Sequence, residues 1–238
     1  MLAYGYYPFG IFWDPTYILI IIAMLLSLVA SAMVKTTFGK YAKVRSFTNM
    51  TGAQAAERLL HHQGIYDVRI GHISGDLTDH YDPRNKVLNL SDSTYGSTSV
   101  AAIGVAAHEC GHAIQHAKGY APLTIRGALV PAANIGSSIS WPLIILGIIL
   151  GANQTLITIG ILCFSLAVLF QIVTLPVEFD ASARALKLLE SDGILQQGEV
   201  KQTRKVLTAA AMTYVAGTAG AILQLLRLIL LFGDRRND

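Results

Sequence analysis

The chain has 238 residues, of which 53% are hydrophobic and only 14% are charged, whereas an average soluble domain carries about 25% charged residues. This composition favours a membrane protein, and a formal net charge of +3 is too small to indicate nucleic acid as a partner. Two cysteines, Cys110 and Cys163, are too few for a disulfide framework. The composition therefore predicts the lipid bilayer as a partner.

An N-terminal transmembrane helix is predicted over residues 11–34. Residues 17–34 carry no charge and are about long enough to span a hydrocarbon core. Four basic residues follow within residues 35–45, which by the positive-inside tendency places the N-terminus outside and the next segment in the cytoplasm. Because residues 1–12 lack Lys and Arg, this segment is expected to be a retained anchor and not a cleaved signal peptide.

Residues 35–126 have the composition of a soluble domain and are predicted to be cytoplasmic. A helix is expected to begin after the N-cap residue Thr51 and to end near Gly64. Residues 67–70 and 86–90 are predicted to be short strands, separated by the turn-rich sequence D-H-Y-D-P-R-N. The second strand is expected at a sheet edge, where it either holds an extended peptide or only covers the core.

The motif H-E-x-x-H lies on a helix predicted over residues 100–117. His108 and His112 are one turn apart on one face, close enough to bind one metal ion, and neutral imidazoles suit Zn²⁺. Glu109 is placed to accept a proton from a metal-bound water. The alternative is a helix whose histidines only cap and pack. Catalytic zinc usually has three protein ligands and a water, so a third ligand is needed.

A transmembrane hairpin with its turn outside is predicted over residues 127–177, which contain no charged residue. Five basic residues within residues 184–205 then place the segment 178–208 in the cytoplasm. Residues 209–232 form a fourth apolar segment, interrupted by Arg227. This last segment either spans the membrane or lies at the interface.

Glu178 is the predicted third ligand. No histidine follows His116, so a downstream ligand must be a carboxylate, and His116 itself would lie about 12 Å along the helix from His108. A hairpin brings its two ends together, so Glu178 can return beside the motif from the far end of the hairpin. The alternative is an interfacial glutamate outside any site.

Four further residues are candidates for supporting roles. Asp180 either orients a zinc-binding histidine or forms a surface ion pair with Arg184 one turn away. Arg184, His116 and His80 are candidates to stabilise the oxyanion of the transition state. For these three, the alternative is a structural or merely exposed side chain.

Three segments, L-T-D-H-Y-D-P-R, A-A-H-E-C-G-H-A-I-Q-H and L-P-V-E-F-D-A-S, together resemble the bacterial neutral zinc metallopeptidases, the YugP-like membrane proteins. The resemblance covers most of the chain from Tyr41 onward. It implies a membrane-bound zinc peptidase in which His108 and His112 are ligands and Glu109 is the catalytic base.

The layout is also similar to that of HtpX-type proteases, in which a zinc helix and two spans precede a glutamate ligand. Those enzymes place a second acid four residues after the ligand. This chain has Ser182 at that position and Asp180 nearby. The departure leaves Asp180 open as an alternative to Glu178.

The predicted architecture is a mainly α membrane protein, with about four transmembrane helices and a cytoplasmic α+β zincin-like domain containing a small sheet. Residues 35–126 supply the zinc helix and residues 178–208 the third ligand. The predicted function is a gluzincin-like zinc metalloendopeptidase of the bacterial cytoplasmic (inner) membrane, which cleaves peptides or membrane proteins at the cytoplasmic face. Two alternatives stay open: an intramembrane (site-2-type) protease, and a non-catalytic membrane scaffold stabilised by zinc.

Overall fold

A computed structural model describes residues 14–233, so residues 11–13 of the predicted first helix lie outside the described part. Within this part the chain is mostly helical and contains one three-stranded sheet. In chain order the elements are α1 (Tyr17–Tyr41), α2 (Gly52–His62), β1 (Arg69–Ile73), β2 (His80–Asp82), β3 (Val87–Ser91), α3 (Asp92–Tyr95), α4 (Val100–Ala117), α5 (Ala121–Ile149), α6 (Gln154–Ser191) and α7 (Gln197–Phe232).

Four helices, α1, α5, α6 and α7, are long and apolar enough to cross a membrane. This agrees with the predicted number of spans. Both α6 and α7 continue past their apolar stretches, so the segment 178–208 consists of the end of one helix and the start of the next. Pro176 lies within α6 without ending it, and the helix stops before Gly193, which adopts a φ of +63°.

The chain divides into two compact units. One unit contains Val29–Leu129 and Ile172–Val215. The other contains Val130–Gln171 together with the described residues that precede Val29 and follow Val215 in the sequence, 14–28 and 216–233. Each of the four long helices therefore contributes residues to both units.

The sheet of the first unit has the strand order β1-β3-β2, with β1 parallel and β2 antiparallel to β3. The expectation that residues 86–90 form an edge strand is wrong, because β3 pairs on both sides. The strand that sequence reasoning missed is β2, which lies in the sequence predicted to be a turn. Its position is fixed by Asp79, whose carboxylate accepts hydrogen bonds from the backbone N–H and the hydroxyl of Ser91 at 2.8 and 2.9 Å.

Helices α2 and α4 pack against each other in this unit and form much of its core. A capping box joins Thr51 and Gln54 at the start of α2, and Gly64 follows its end with a φ of +72°. The hydroxyl of Ser99 accepts a hydrogen bond from the backbone N–H of Ala102 and caps α4. The cap at Thr51 was expected from the sequence, and each cap is worth about 1 kcal/mol.

In the other unit, a buried arginine on α7 is paired with residues immediately before α1. Arg227 donates from Nε to the hydroxyl of Thr16 and from Nη2 to the carboxylate of Asp14, each at 3.1 Å. Its guanidinium carbon lies 4.5 Å from the ring centroid of Tyr17, a cation–π contact. The charge that interrupts the last apolar segment is thus compensated within the protein, which makes it compatible with a helix long enough to span.

Candidate metal centre

Two histidines on α4 and one glutamate on α6 converge in the first unit. His108, His112 and Glu178 place their ligand atoms within 4.8 Å of one another. The Nε2 atoms of His108 and His112 lie 3.3 and 3.5 Å from the same atom, Oε2 of Glu178. Because imidazole nitrogens and a carboxylate oxygen are acceptors when deprotonated, their convergence is stable only around a proton or a cation.

This donor set fits Zn²⁺. Two imidazole nitrogens and one carboxylate oxygen are a known ligand set of catalytic zinc, which keeps its fourth position for water or substrate. The carboxylate is held away from solvent, since Glu178 is only 2% exposed. His108 and His112 are also mostly covered, with side chains 15% and 12% exposed.

A glycine in the motif lets α6 approach α4 closely enough to deliver the carboxylate. A Cβ added to Gly111 would lie 2.5 Å from the backbone oxygen of Ala181 and 2.9 Å from its Cα. The backbone of α6 therefore passes directly over α4 at Gly111. Glu178 is three residues, or nearly one helical turn, before Ala181, and so it faces the two histidines.

The second oxygen of the Glu178 carboxylate is occupied by an arginine that was missed at the sequence level. Nη1 of Arg126, near the start of α5, donates to Oε1 at 3.2 Å. This leaves Oε2 directed at the histidines. A signal was present in the sequence: Arg126 is the last charge before the uncharged residues 127–177, and Glu178 is the first charge after them. The two charges therefore sit at opposite ends of the same predicted hairpin.

Each histidine has a polar partner on its Nδ1 atom. Nδ1 of His108 lies 3.0 Å from the hydroxyl of Ser182, the residue that occupies the position expected to hold an acid. Nδ1 of His112 lies 3.1 Å from the side-chain oxygen of Gln115. Such outer contacts fix the orientation of metal-binding imidazoles. Gln115 was also missed, although it is one turn beyond His112 on the same helix.

Asp180 contacts the site through Gln115. Its Oδ2 atom accepts hydrogen bonds from Nε of Arg184 and, at 2.8 Å, from Nε2 of Gln115. Asp180 thus forms the ion pair with Arg184, and it is also connected to His112 through Gln115. The cluster of possible ligands in the described part of the chain contains Glu178 and not Asp180.

The predicted catalytic base is positioned beside the cluster. Glu109 is 8% exposed on α4, and its charge acts on His112. Burial lowers the pKa of His112, but the hydrogen bond to Glu178 and the charges of Glu109 and Glu178 outweigh burial, so the pKa is raised overall. The metal-free cluster therefore favours retaining a proton on His112, and a bound cation would replace it.

The other predicted candidates contact different partners. Nδ1 of the exposed His116 lies 2.9 Å from the hydroxyl of Tyr81 on β2. Nε2 of the exposed His80 lies 3.1 Å from the side-chain nitrogen of Asn89 on β3. The guanidinium of Arg184 lies 5.5 Å from the ring centroid of Tyr120. The two histidines thus contact residues of the sheet, whereas Arg184 is linked to His112 through Asp180 and Gln115.

The cysteine inside the motif points away from the cluster. Cys110 is buried, and its thiol donates to the backbone oxygen of Ala56 on α2 at 3.6 Å. Burial, together with the charge of Glu109, raises the pKa of this thiol. A thiol that stays protonated and faces α2 is a packing group, because zinc binds the thiolate.

Comparisons with known proteins also indicate a zinc peptidase and a membrane protein. The family described as "Putative neutral zinc metallopeptidase" matches residues 16–233. The chain is 44% identical over 220 residues to the "Putative membrane protease YugP" of Bacillus subtilis (strain 168), and this alignment covers 92% of the chain and 97% of that protein. No solved structure matches the chain. The apolar helices and the name of this relative both fit a membrane protein. The chain therefore belongs to the family of neutral zinc metallopeptidases.

Proposed function

We propose that the protein is a membrane-anchored zinc metalloendopeptidase that hydrolyses peptide bonds at the cytoplasmic face of the membrane. The observation that carries this proposal is the convergence of His108, His112 and Glu178 beside Glu109. Membership of a zinc metallopeptidase family supports the same reaction class.

Nε2 of His108, Nε2 of His112 and Oε2 of Glu178 are the atoms that would hold the metal. When bound in such a site, Zn²⁺ lowers the pKa of a coordinated water to about 7 and polarises a carbonyl group. The chain's own contribution would be to hold these three donor groups together on two helices, α4 and α6. A carboxylate as third ligand makes the proposed site gluzincin-like.

Glu109 acts as general base in this proposal. It follows His108 directly, so its carboxylate is placed to take the proton of the attacking water and then pass it to the leaving amine. Glu109 is mostly buried, which reduces competition from bulk solvent. A positioned general base typically contributes about 10²–10⁴-fold to the rate.

We assign the active site to the cytoplasmic side of the bacterial inner membrane, with residues 35–126 and 178–208 as a zincin-like domain. The support is the clustering of basic residues within residues 35–45 and 184–205. Substrates would then be peptides or membrane proteins that reach the bilayer surface. Cysteines introduced as Lys43→Cys and Lys201→Cys should react with an impermeant reagent in inside-out vesicles, and Asn153→Cys only in right-side-out ones. The reverse pattern would overturn the assignment.

The donor set also separates the enzymatic proposal from its alternatives. A structural zinc site is closed by four protein ligands, frequently cysteines, whereas the cluster in the described chain offers three groups and excludes the thiol of Cys110. An intramembrane protease needs an acidic ligand deep within a span, and residues 127–177 contain no acidic residue.

The test is an assay of the full chain, purified in detergent, on casein and on membrane-protein substrates. We expect Glu109→Gln to retain zinc and to lose about 10²–10⁴-fold in kcat/KM, because the ligands remain and only the base is removed. Glu57→Gln, on the exposed face of α2, is the matched control and should keep full activity. Equal cleavage by wild type and Glu109→Gln would exclude the mechanism.

A further inference from the structure

A buried amide on α4 links the second histidine to α6. Gln115 is 0% exposed, and all three of its hydrogen bonds are formed inside the protein. Its Nε2 atom donates to the backbone oxygen of Val177 and to Oδ2 of Asp180, each at 2.8 Å. Its Oε1 atom lies 3.1 Å from Nδ1 of His112.

The orientation of this amide is dictated by its neighbours. A backbone oxygen and a carboxylate can only accept hydrogen bonds, so the group that faces Val177 and Asp180 must be the NH₂ group of Gln115. Rotating the amide by half a turn would place its oxygen against these two acceptors in a buried environment, which is strongly unfavourable. Oε1 is therefore the atom that faces His112.

The fixed amide in turn determines where the proton of His112 resides. An amide oxygen only accepts, so Nδ1 of His112 must carry a hydrogen to bond to it. In a neutral ring this leaves the lone pair on Nε2, the atom that faces Glu178. We propose that Gln115 is a positioning residue that holds His112 in the Nδ1–H state, so that Nε2 is available to the metal. This inference rests on the proposed function, in which His112 binds zinc.

The two histidines differ in this respect. The partner of His108 is the hydroxyl of Ser182, which can donate or accept and therefore orients the ring without choosing its tautomer. Gln115 accepts a hydrogen bond from Nδ1 of His112 and so fixes the tautomer of that ring. Its two anchors, Val177 and Asp180, flank Glu178 in α6, so the same amide also ties His112 to the turn that carries the third ligand.

The first test uses wild-type protein, so it does not depend on a variant that folds. With ¹⁵N-histidine labelling of the seven histidines, ring nitrogen shifts and long-range couplings report which nitrogen of each ring is protonated. We expect Nδ1 of His112 to carry a hydrogen in the metal-free protein and in the protein loaded with Zn²⁺. A His112 ring without a hydrogen on Nδ1 in either state overturns the proposal.

The second test measures zinc affinity by competition with a chelator. Gln115→Met keeps the side-chain length but removes all three hydrogen bonds, and we expect the dissociation constant for Zn²⁺ to rise by about 10–100-fold. Gln202→Met, on α7, is the matched control, because the side-chain oxygen of Gln202 has no hydrogen-bond partner. It should leave the zinc affinity unchanged. Equal affinity for Gln115→Met and wild type would contradict the proposal.

A double substitution separates positioning from loss of packing. In Gln115→Glu the acceptor toward His112 remains, but the new carboxylate faces Asp180, so zinc affinity should fall. Adding Asp180→Asn supplies an amide that can donate to the new carboxylate, and affinity should partly return. If Asp180→Asn gives no recovery, Gln115 acts only through packing.

Failure of this inference can be told apart from failure of the proposed function. Wild-type protein that binds no zinc, or binds it without His112, would defeat the proposed function. Wild-type protein that binds zinc through Nε2 of His112 while Gln115→Met binds it equally well would defeat only the role of Gln115.

Discussion

Two polar clusters lie on or beside the long helices of this protein, one in each compact unit, and their polar atoms are arranged in opposite ways. Around Arg227, a donor meets the acceptors Asp14 and Thr16, so the cluster is complete without any further group. Around Glu178, two imidazoles and one carboxylate bring their potential ligand atoms within 4.8 Å of one another. Burial is similar in both. The convergence of potential ligand atoms, and not burial, distinguishes the second cluster as one that could hold a metal ion.

The same contrast explains why charge is tolerated in such apolar helices. A buried charge is costly unless it is paired, and a pair formed within the protein serves structure alone. The Glu178 cluster is only partly compensated by Arg126, which engages one carboxylate oxygen and leaves the other to the histidines. Substitutions around Glu178 should therefore change zinc affinity, whereas substitutions around Arg227 should change only the free energy of unfolding.

The largest expected effect is on zinc binding when the third ligand is changed. Glu178→Gln removes the anionic donor and should weaken Zn²⁺ binding by more than about 100-fold, because even changes outside the ligand shell cost about 10–100-fold. Glu190→Gln, at an exposed position of the same helix, is the matched control and should bind zinc normally. Metal content after dialysis against a chelator measures both. Full zinc retention by Glu178→Gln would show that another group completes the site.

The next effect concerns the close approach of α6 to α4. Gly111→Ala would place a methyl group 2.5 Å from the backbone oxygen of Ala181, so the helices must separate. Overpacking of this kind typically costs about 1–3 kcal/mol of unfolding free energy, and zinc affinity should fall with it because Glu178 moves away. Thermal unfolding and zinc competition report the two effects.

Gly127→Ala is the control for that comparison. Gly127 is also helical, but nothing lies within 4 Å of its added Cβ. Alanine is the better helix former by about 1 kcal/mol, so this variant should be as stable as wild type or more stable. If both substitutions behaved alike, the close approach at Gly111 would not be what positions the third ligand.

The smallest effect on the metal is expected from the Arg227 cluster. Arg227→Met leaves the Asp14 carboxylate without its cation, and an unsatisfied buried group costs about 1–3 kcal/mol of unfolding free energy. Zinc affinity should remain at the wild-type value, because Arg227 lies in one unit and His108, His112 and Glu178 lie in the other. A loss of zinc binding comparable to that of Glu178→Gln would break the distinction between the clusters.

Much of the fold and part of the site follow from local sequence rules. The helix of the H-E-x-x-H motif has the predicted bounds, Val100–Ala117. The four apolar segments stand out because each is long and nearly free of charge. Glu178 was identified as a candidate ligand by topology, since a hairpin returns its second end to its first.

The features that were missed depend on contacts between distant residues. Strand β2 has only three residues, too few for a periodic pattern, and Asp79 places it by binding Ser91. Gln115 has no distinguishing local pattern, and Arg126 stands out only by its place at one end of the predicted hairpin. Their roles arise only when α6 lies beside α4 and α5. Sequence patterns therefore indicated the groups that could hold a metal better than the residues that hold those groups in place.

The metal centre itself is tested most directly by zinc X-ray absorption spectroscopy on the purified, zinc-loaded wild-type protein. We expect the zinc ion to have four nitrogen or oxygen neighbours at about 2.0–2.2 Å, with the multiple-scattering pattern of two imidazoles. We also expect Glu178→Gln to lose the bound zinc. A sulfur neighbour at about 2.3 Å, or a third imidazole, would contradict a site formed by His108, His112 and Glu178.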